Sequence, residues 1–375
     1  MAKTIVILGA SYAGLTIAHK LLKHTLKTVN EETKVVVVSP TTHQYWNLAS
    51  VRAIVPGQIP DEKLFSSIPD GLAQYKDSAH FIHGTATGLD IPSKTVLIRT
   101  PSGEEQKQPY DTLILTTGCR TIDSASPWKS SLNGYEATKD ALHTIQEEVK
   151  NAKTIVVGGA GATGVETAAE LGFEFGKGKE VTLITAGQQL LTGVPPSVAA
   201  FAENELKKLH VSVLKEVKIT SSFASANKTE LTLSNGDKML VDLYLPTIGV
   251  IPNSEFIPKE LKDEKGYVTV DQYLKVKGTE DIWAAGDITD CQAAQFIYCE
   301  KQAEALSKNL DLVLNGKEPV VYKADGPPIM GVSLGRSRAT GRFGNMKMPS
   351  LVIWFVKGRT LGVQKLPGLV SGSAF

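Results

Sequence analysis

The sequence predicts an α/β chain of two Rossmann-like dinucleotide-binding domains followed by a small C-terminal α+β domain. Two segments carry that prediction. Ile5-Val6-Ile7-Leu8 runs into Gly9-Ala10-Ser11-Tyr12-Ala13-Gly14, and Thr154-Ile155-Val156-Val157 runs into Gly159-Ala160-Gly161-Ala162-Thr163-Gly164. In each, an apolar strand meets a glycine turn and then an Ala/Leu-rich helix, the context a dinucleotide fingerprint requires. The glycines allow a tight turn, close approach of backbone to pyrophosphate, and close packing of helix on strand. Free N–H groups at the helix N-terminus then favour the phosphates. The third observation is spacing: the first glycines lie 150 positions apart, which leaves room for one complete domain for FAD and another for NAD(P)H. Ser11 takes the middle glycine position of the first copy, where its small side chain still admits a pyrophosphate and its hydroxyl can donate to it. Gly9, Ala10, Ser11, Tyr12, Ala13 and Gly14 are therefore expected to hold one nucleotide, and Gly159, Gly161 and Gly164 the other.

The other elements follow in chain order. Residues 34–39, a valine run ending in serine, read as the second strand of the first domain, and a helix is expected near 50–54, before the turn-rich Val55-Pro56-Gly57. Residues 84–90 and 94–100 read as a β-ribbon turned at Pro92-Ser93, with Ala86 expected against the cofactor. Residues 110–118 form a buried strand ending in Thr117-Gly118, where the chain leaves the first domain. The inserted domain, 119–246, holds the second fingerprint, a strand at 180–185, a charged helix at 198–209, and strands around 211–217 and 230–233. Residues 243–249 repeat the strand–Thr–Gly pattern and return the chain, so the FAD-binding domain is discontinuous, 1–118 and 247–317. A short strand then meets Ala285-Gly286-Asp287 before a helix over about 293–315. There Gly286 and Asp287 suit a ribityl hydroxyl; the plain alternative is that Asp287 caps the helix. Residues 318–375 make the C-terminal domain.

Composition narrows the class. Of 375 residues, 42% are hydrophobic and 21% charged, and formal net charge is +1 from 40 basic and 39 acidic residues, as in an ordinary soluble enzyme. No basic tract stands out, so no nucleic-acid partner is expected. The first strand begins within four residues of Met1 and Ala2 is not the glycine that myristoylation needs, so neither a targeting peptide nor that anchor is expected. The apolar run 351–356 is too short to span a bilayer. The expectation is a cytoplasmic protein, with contact to an intracellular membrane surface left open. Cys119, Cys291 and Cys299 form no Cys-x-x-Cys pair, so a redox-active disulfide is not expected, and no metal site is read.

The order of Gly9–Gly14, Thr117-Gly118, the second fingerprint, Thr247-Ile248-Gly249 and Ala285-Gly286-Asp287 resembles the pyridine-nucleotide-disulfide oxidoreductase superfamily. Lacking the dithiol, the chain resembles its apoptosis-inducing-factor-like branch, in particular the ferroptosis-suppressor group and its fungal relatives. Leu334-Gly335-Arg336-Ser337-Arg338 and Trp354-Phe355-Val356-Lys357-Gly358-Arg359 carry that finer likeness. The resemblance implies an FAD-dependent NAD(P)H:quinone oxidoreductase with a small C-terminal domain beside the flavin. Some members carry 6-hydroxy-FAD, on which this sequence is silent, as it is on oligomeric state and acceptor. Two departures stand out: the second strands of the two domains reach Ser39 and Thr185, where an acidic residue often holds a ribose. No arginine follows Thr185 closely, so neither NADH nor NADPH is selected by charge there.

Flavin enzymes leave hydride chemistry to the cofactor and supply orientation and proton handling. Resemblance places Glu166 near the flavin–nicotinamide junction and Lys357 beside the flavin, so both are candidate catalytic groups; Lys357 reads equally as a lysine snorkelling from an apolar strand. Glu170, one turn beyond Glu166, reads as solvated. Resemblance also matches Arg52 to a cofactor-binding arginine, suited to the pyrophosphate. The C-terminal run 351–356 reads mostly as a core strand; with Lys357 and Arg359 it joins apolar area to positive charge, a combination that suits covering the flavin, admitting a lipophilic quinone or resting on an anionic membrane. The function expected is two-electron transfer from NAD(P)H to a quinone-like acceptor. The alternatives are a flavoenzyme tailoring a small metabolite and a nucleotide-sensing death-signalling module.

Overall fold

Valine and isoleucine runs at 5–8 and 35–38 are buried on both faces, and β-branched residues so placed build the interior of a parallel sheet. The computed structural model describes residues 3–29, 31–123, 125–225 and 228–375. Its first sheet is five-stranded and parallel, in the order Ile282–Ala284, Thr112–Leu115, Lys3–Leu8, Thr33–Ser39, Ala79–His83. The second is four-stranded and parallel, in the order Val211–Leu214, Glu180–Ile184, Thr154–Gly158, Leu243–Pro246. The strands Cys119–Thr121 and Val250–Pro252 pair antiparallel where the chain passes between the two units. Each sheet thus has a fingerprint strand inside it and a helix leaving its C-terminal edge, so both glycine turns sit where open α/β sheets bind ligands.

The fingerprint helices differ in what they bury. Helix Tyr12–Lys23 buries Leu15, Ile17, Ala18, Leu21 and Leu22 and packs on helix Phe296–Leu314, while Lys20 and Lys23 in its last turn oppose the negative end of the helix dipole. Helix Ala162–Phe175 buries Glu166, Thr167 and Glu170 alongside its apolar residues. Antiparallel ribbons hang from each unit: Thr85–Asp90, Thr95–Arg99 and Glu105–Pro109 on the first, and Ile219–Ser225, Lys228–Leu233 and Lys238–Val241 on the second.

The C-terminal residues lie across both units. The hairpin Ile329–Leu334/Arg338–Phe343 packs on helix Ala162–Phe175, and the final helix Leu366–Ser371 packs on the first unit, with Leu366, Leu369 and Val370 buried. The run 351–356 corrects its expected strand. It is helical, Ser350–Ile353 passing into a wide turn over Trp354–Gly358, and Leu351, Val352, Phe355 and Val356 are exposed rather than core. Consecutive apolar residues carry no period of their own, so strand and helix could not be told apart in advance. Among the described residues, no helix is long and apolar enough to cross a membrane.

Candidate functional site

The two glycine turns are built alike, hydrogen bond for hydrogen bond. Gly9 N donates to Val38 O at 2.8 Å and Gly159 N to Ile184 O at 2.9 Å, tying each turn to the second strand of its sheet. Gly9 and Gly159 sit at φ +102° and +103°, which glycine alone adopts without strain. Thr116 Oγ1 donates to Leu8 O and Gly9 O, both at 2.9 Å, and Thr247 Oγ1 donates to Gly158 O and Gly159 O, again at 2.9 Å. A Cβ on Gly14 or Gly164 would overlap the carbonyl of Gly9 or Gly159, so each helix lies as close to its turn as a backbone allows. Thr116 and Thr247 were not singled out from sequence, yet the strand–Thr–Gly repeat held the signal: each hydroxyl locks its turn from the neighbouring strand.

Around the first turn the structure opens into a cleft of about 500 Å³, within the range of cofactor sites. Gly9, Ala10, Ser11, Tyr12 and Ala13 line it, with Ala86, Thr117, Gly118, Gly286 and Asp287 around them. Gly14 lies behind the turn, in its packing against Gly9. Ser11 is the helix N-cap but its side chain makes no capping bond, which leaves the hydroxyl and the first-turn N–H groups facing the cleft. Tyr12 is held by Asn47 Oδ1 at 2.8 Å and edge-on to Trp46 and Phe296, and burial drives its hydroxyl well above the ordinary tyrosine range. Ser39 and Thr41 line the cleft at the end of the second strand, with hydroxyls in place of a carboxylate.

Asp287 lines the same cleft, next to Gly286, which borders Ala13. Lys129 Nζ donates to its Oδ2 at 2.7 Å, and the Cys119 thiol donates to the same oxygen at 3.4 Å. Burial works against the charge on Lys129, but the Asp287 carboxylate more than offsets it and holds the ammonium above its ordinary pKa. Burial pushes the Cys119 thiol up to about 12, so it stays protonated. Asp287 does not cap the following helix, which begins at Phe296 with Gln295 as N-cap. The turn before it is fixed by Gly286 N donating to Gln302 Oε1 at 2.7 Å, with Gly286 at φ +86°. Lys129 escaped sequence reasoning because a single lysine in a Ser/Pro loop carries no motif.

The second turn presents a different surface. Gly161 is the N-cap of helix Ala162–Phe175, and a Cβ there would meet nothing within 4 Å. At the end of strand Glu180–Ile184, Thr185 Oγ1 accepts from Gly187 N at 3.2 Å.

Glu166 and Lys357, both singled out by resemblance, meet in an ion pair at 2.6 Å. Ser333 N also donates to Glu166 Oε1 at 2.8 Å, and Lys357 Nζ to Gly331 O at 2.8 Å, so both charges are held by the C-terminal hairpin. Neither lines the cleft. Two readings need correction. Arg52, expected at the pyrophosphate, is outside the cleft: Nε and Nη2 donate to Glu170 Oε1 at 3.0 and 2.8 Å, and Nη1 and Nη2 donate to the carbonyls of Arg359 and Gly358. Its donors are spent on tying the C-terminal segment to the second fingerprint helix. Glu170, expected to be solvated, is the buried partner in that pair, with Arg336 facing it at 3.8 Å. Burial raises its carboxyl above the ordinary range, and the bond and charge from Arg52 act against that. His43, Tyr45 and Trp46 serve packing: His43 stacks on Tyr135, Tyr45 donates to Pro127 O, and Trp46 to Leu361 O. Cys119, Cys291 and Cys299 are free thiols. Among the described residues no cluster of metal ligands occurs.

Comparison with known proteins agrees with this architecture. The family described as pyridine nucleotide-disulphide oxidoreductase matches residues 3–306. The oxidoreductase ptaL of Pestalotiopsis fici is 45% identical over 99% of both chains. The oxidoreductase phnG of Penicillium herquei is 31% identical, over 99% of this chain and 96% of its own. Ferroptosis suppressor protein 1 of Xenopus laevis is 28% identical, over 96% of this chain and 94% of its own. These relatives bear out the apoptosis-inducing-factor-like resemblance with fungal kin. A sulfide:quinone oxidoreductase from Aquifex aeolicus superposes with a TM-score of 0.77 at 17% identity, covering 99% of this chain and 92% of that one, which shows a shared fold.

Proposed function

We propose that this chain, which belongs to the pyridine nucleotide-disulphide oxidoreductase family, binds FAD in the first cleft, oxidises NAD(P)H held at the second turn, and passes two electrons to a quinone-like acceptor. The observation that carries this reading is the pair of glycine turns, tied by the same bonds from Gly9 or Gly159 and from Thr116 or Thr247, of which the first lines a cleft of about 500 Å³ and the second leaves open space at Gly161. A cofactor that stays bound needs the cleft; one that comes and goes needs an open turn. On this reading 1–118 with 247–317 is the FAD domain, 119–246 the NAD(P)H domain, and 318–375 the C-terminal domain.

The residues of the cleft fit FAD. Gly9 to Gly14 would hold the pyrophosphate at the helix N-terminus. Asp287 would accept from a ribityl hydroxyl, its carboxylate paired with and aimed by Lys129. The bound flavin supplies the hydride chemistry. Lys357, fixed by Glu166 and the Gly331 carbonyl, would offer a positioned cation where negative charge develops on the flavin or acceptor. Glu166 positions that ammonium and is the nearest proton acceptor for it. No dithiol step is invoked.

Turnover of the FAD-loaded protein with NADH and NADPH against a panel of short-chain quinones, with oxygen as the reference acceptor, tests this function. Quinone-dependent oxidation should exceed the oxygen-dependent rate by at least about tenfold, which is about 1.4 kcal/mol of barrier. Rates that ignore every quinone but rise with another small metabolite would replace this reading with a tailoring one. Slow reduction by every acceptor would favour the signalling one.

A further inference from the structure

The C-terminal turn holds its apolar residues outward. In the helical stretch 350–358, Trp354 Nε1 donates to Arg336 O at 2.6 Å, Ile353 packs on Gly331, and Lys357 pairs with Glu166, so these three point inward. Leu351, Val352, Phe355 and Val356 occupy the opposite positions, i, i+1, i+4 and i+5, and are 71%, 46%, 66% and 71% exposed. Four large apolar side chains stand on the exposed face, where a soluble helix ordinarily carries polar residues. A contiguous exposed patch of this kind marks an interaction surface.

Charge identifies what the surface meets. Residues 326–375 contain seven lysines and arginines and no aspartate or glutamate, while the whole chain carries +1, so residues 1–325 carry −6. Arg336 and Lys357 are consumed in ion pairs with Glu174 and Glu166. Arg338, Lys347 and Arg359 are exposed, and none of the three forms an ion pair among the described residues. Lys347 lies over the Phe201 ring, while the two arginines stay beside the apolar face: Arg359 lies over the Phe355 ring at 5.3 Å, and the Arg338 backbone borders Gly358 at the end of the turn. A second copy seated on this face would bring like charges together, which is unfavourable. A bilayer carrying anionic lipid complements both features.

We infer that this turn docks the protein on the surface of an anionic lipid bilayer. Leu351, Val352, Phe355 and Val356 enter the boundary between headgroups and acyl chains, and Arg338 and Arg359 meet lipid phosphates and carboxylates. The docking is independent of which acceptor the enzyme reduces.

Sedimentation of the FAD-loaded full chain with phosphatidylcholine vesicles, with and without phosphatidylserine, tests the docking. The wild type should pellet with the mixed vesicles and stay in solution with phosphatidylcholine alone, and added salt should release it. The double variant L351S/F355S should lose at least about tenfold in vesicle affinity. Both positions are exposed, so its melting temperature and its NAD(P)H oxidation in solution should match the wild type. Failure of the wild type to bind either vesicle overturns the docking, as does equal binding by the variant. Wild-type dimers in sizing chromatography that the variant abolishes would assign the face to a second copy instead.

Discussion

The two fingerprint helices begin from the same turn and end up doing opposite work. Helix Tyr12–Lys23 buries an apolar face with two polar intruders, Thr16 and His19, the latter 0% exposed between Tyr75 Oη and Val370 O. Helix Ala162–Phe175 buries carboxylates, and cations from Arg52 and the C-terminal segment neutralise them. On the proposed function the turn is a portable device for holding a dinucleotide, and the helix flank decides what packs over it. Over the first, the cover is mostly apolar. Over the second, a row of ion pairs joins the proposed nicotinamide helix to the C-terminal segment carrying Lys357.

Removing Glu170 should break the second arrangement most severely. Arg52 is 5% exposed, so Glu170→Ala leaves a buried guanidinium without its carboxylate and should cost about 3–5 kcal/mol in chemical denaturation. Adding Arg52→Leu should recover part of that loss. A Glu170→Ala cost below about 1 kcal/mol would mean that the charged row does not join the units.

The likeness of the turns can be sharpened by alanine at their first glycines. Both positions carry the strain of positive φ, but their surroundings differ. A Cβ on Gly9 would run into the Thr116 carbonyl, which is backbone and cannot yield, whereas on Gly159 it would meet the Ile248 side chain, which is 51% exposed and can turn away. Gly9→Ala should cost about 3–4 kcal/mol and Gly159→Ala about 1–2. Equal losses would show that the two turns are bounded alike.

His19 gives the first helix a pH signature of its own. Burial lowers its pKa from 6.5 to about 4. The unfolded chain therefore takes up a proton that the fold refuses between those values. Stability should be full above pH 6.5, fall as the pH drops towards 4, and lose about 3 kcal/mol at most. His19→Gln should flatten that window whatever its effect on absolute stability. An unchanged slope would remove His19 as the cause.

What was legible in the sequence was what is local. The strand–glycine–helix turns, Thr117-Gly118 and Ala285-Gly286-Asp287 announce themselves because a phosphate-binding turn is made by residues within a few positions of one another. The long helix read at 293–315 is found at Phe296–Leu314 for the same reason. Pairings across the chain were not legible. Arg52 meets Glu170 from 118 positions away, and a carboxylate one turn beyond Glu166 looks solvated until a guanidinium is known to cover it. Lys129 reaches Asp287 across 158 positions from a loop with no pattern. The run 351–356 misled for another reason: its apolar residues face outward, against the rule by which periodicity is read.

The central claim is that the first turn holds the flavin and the second the nicotinamide, and Gly161→Leu tests it most directly. Gly161 has φ −70°, ordinary for any residue, and open space where a Cβ would stand, so the larger side chain fits the protein and obstructs only what binds there. The measurement is the flavin absorbance per chain of the purified variant, followed by anaerobic titration with NADH and NADPH. Flavin content should match the wild type, with at least about tenfold more of either nucleotide needed to bleach it, a loss of about 1.4 kcal/mol or more in binding. Bleaching at the wild-type concentration, or loss of the flavin itself, would contradict it.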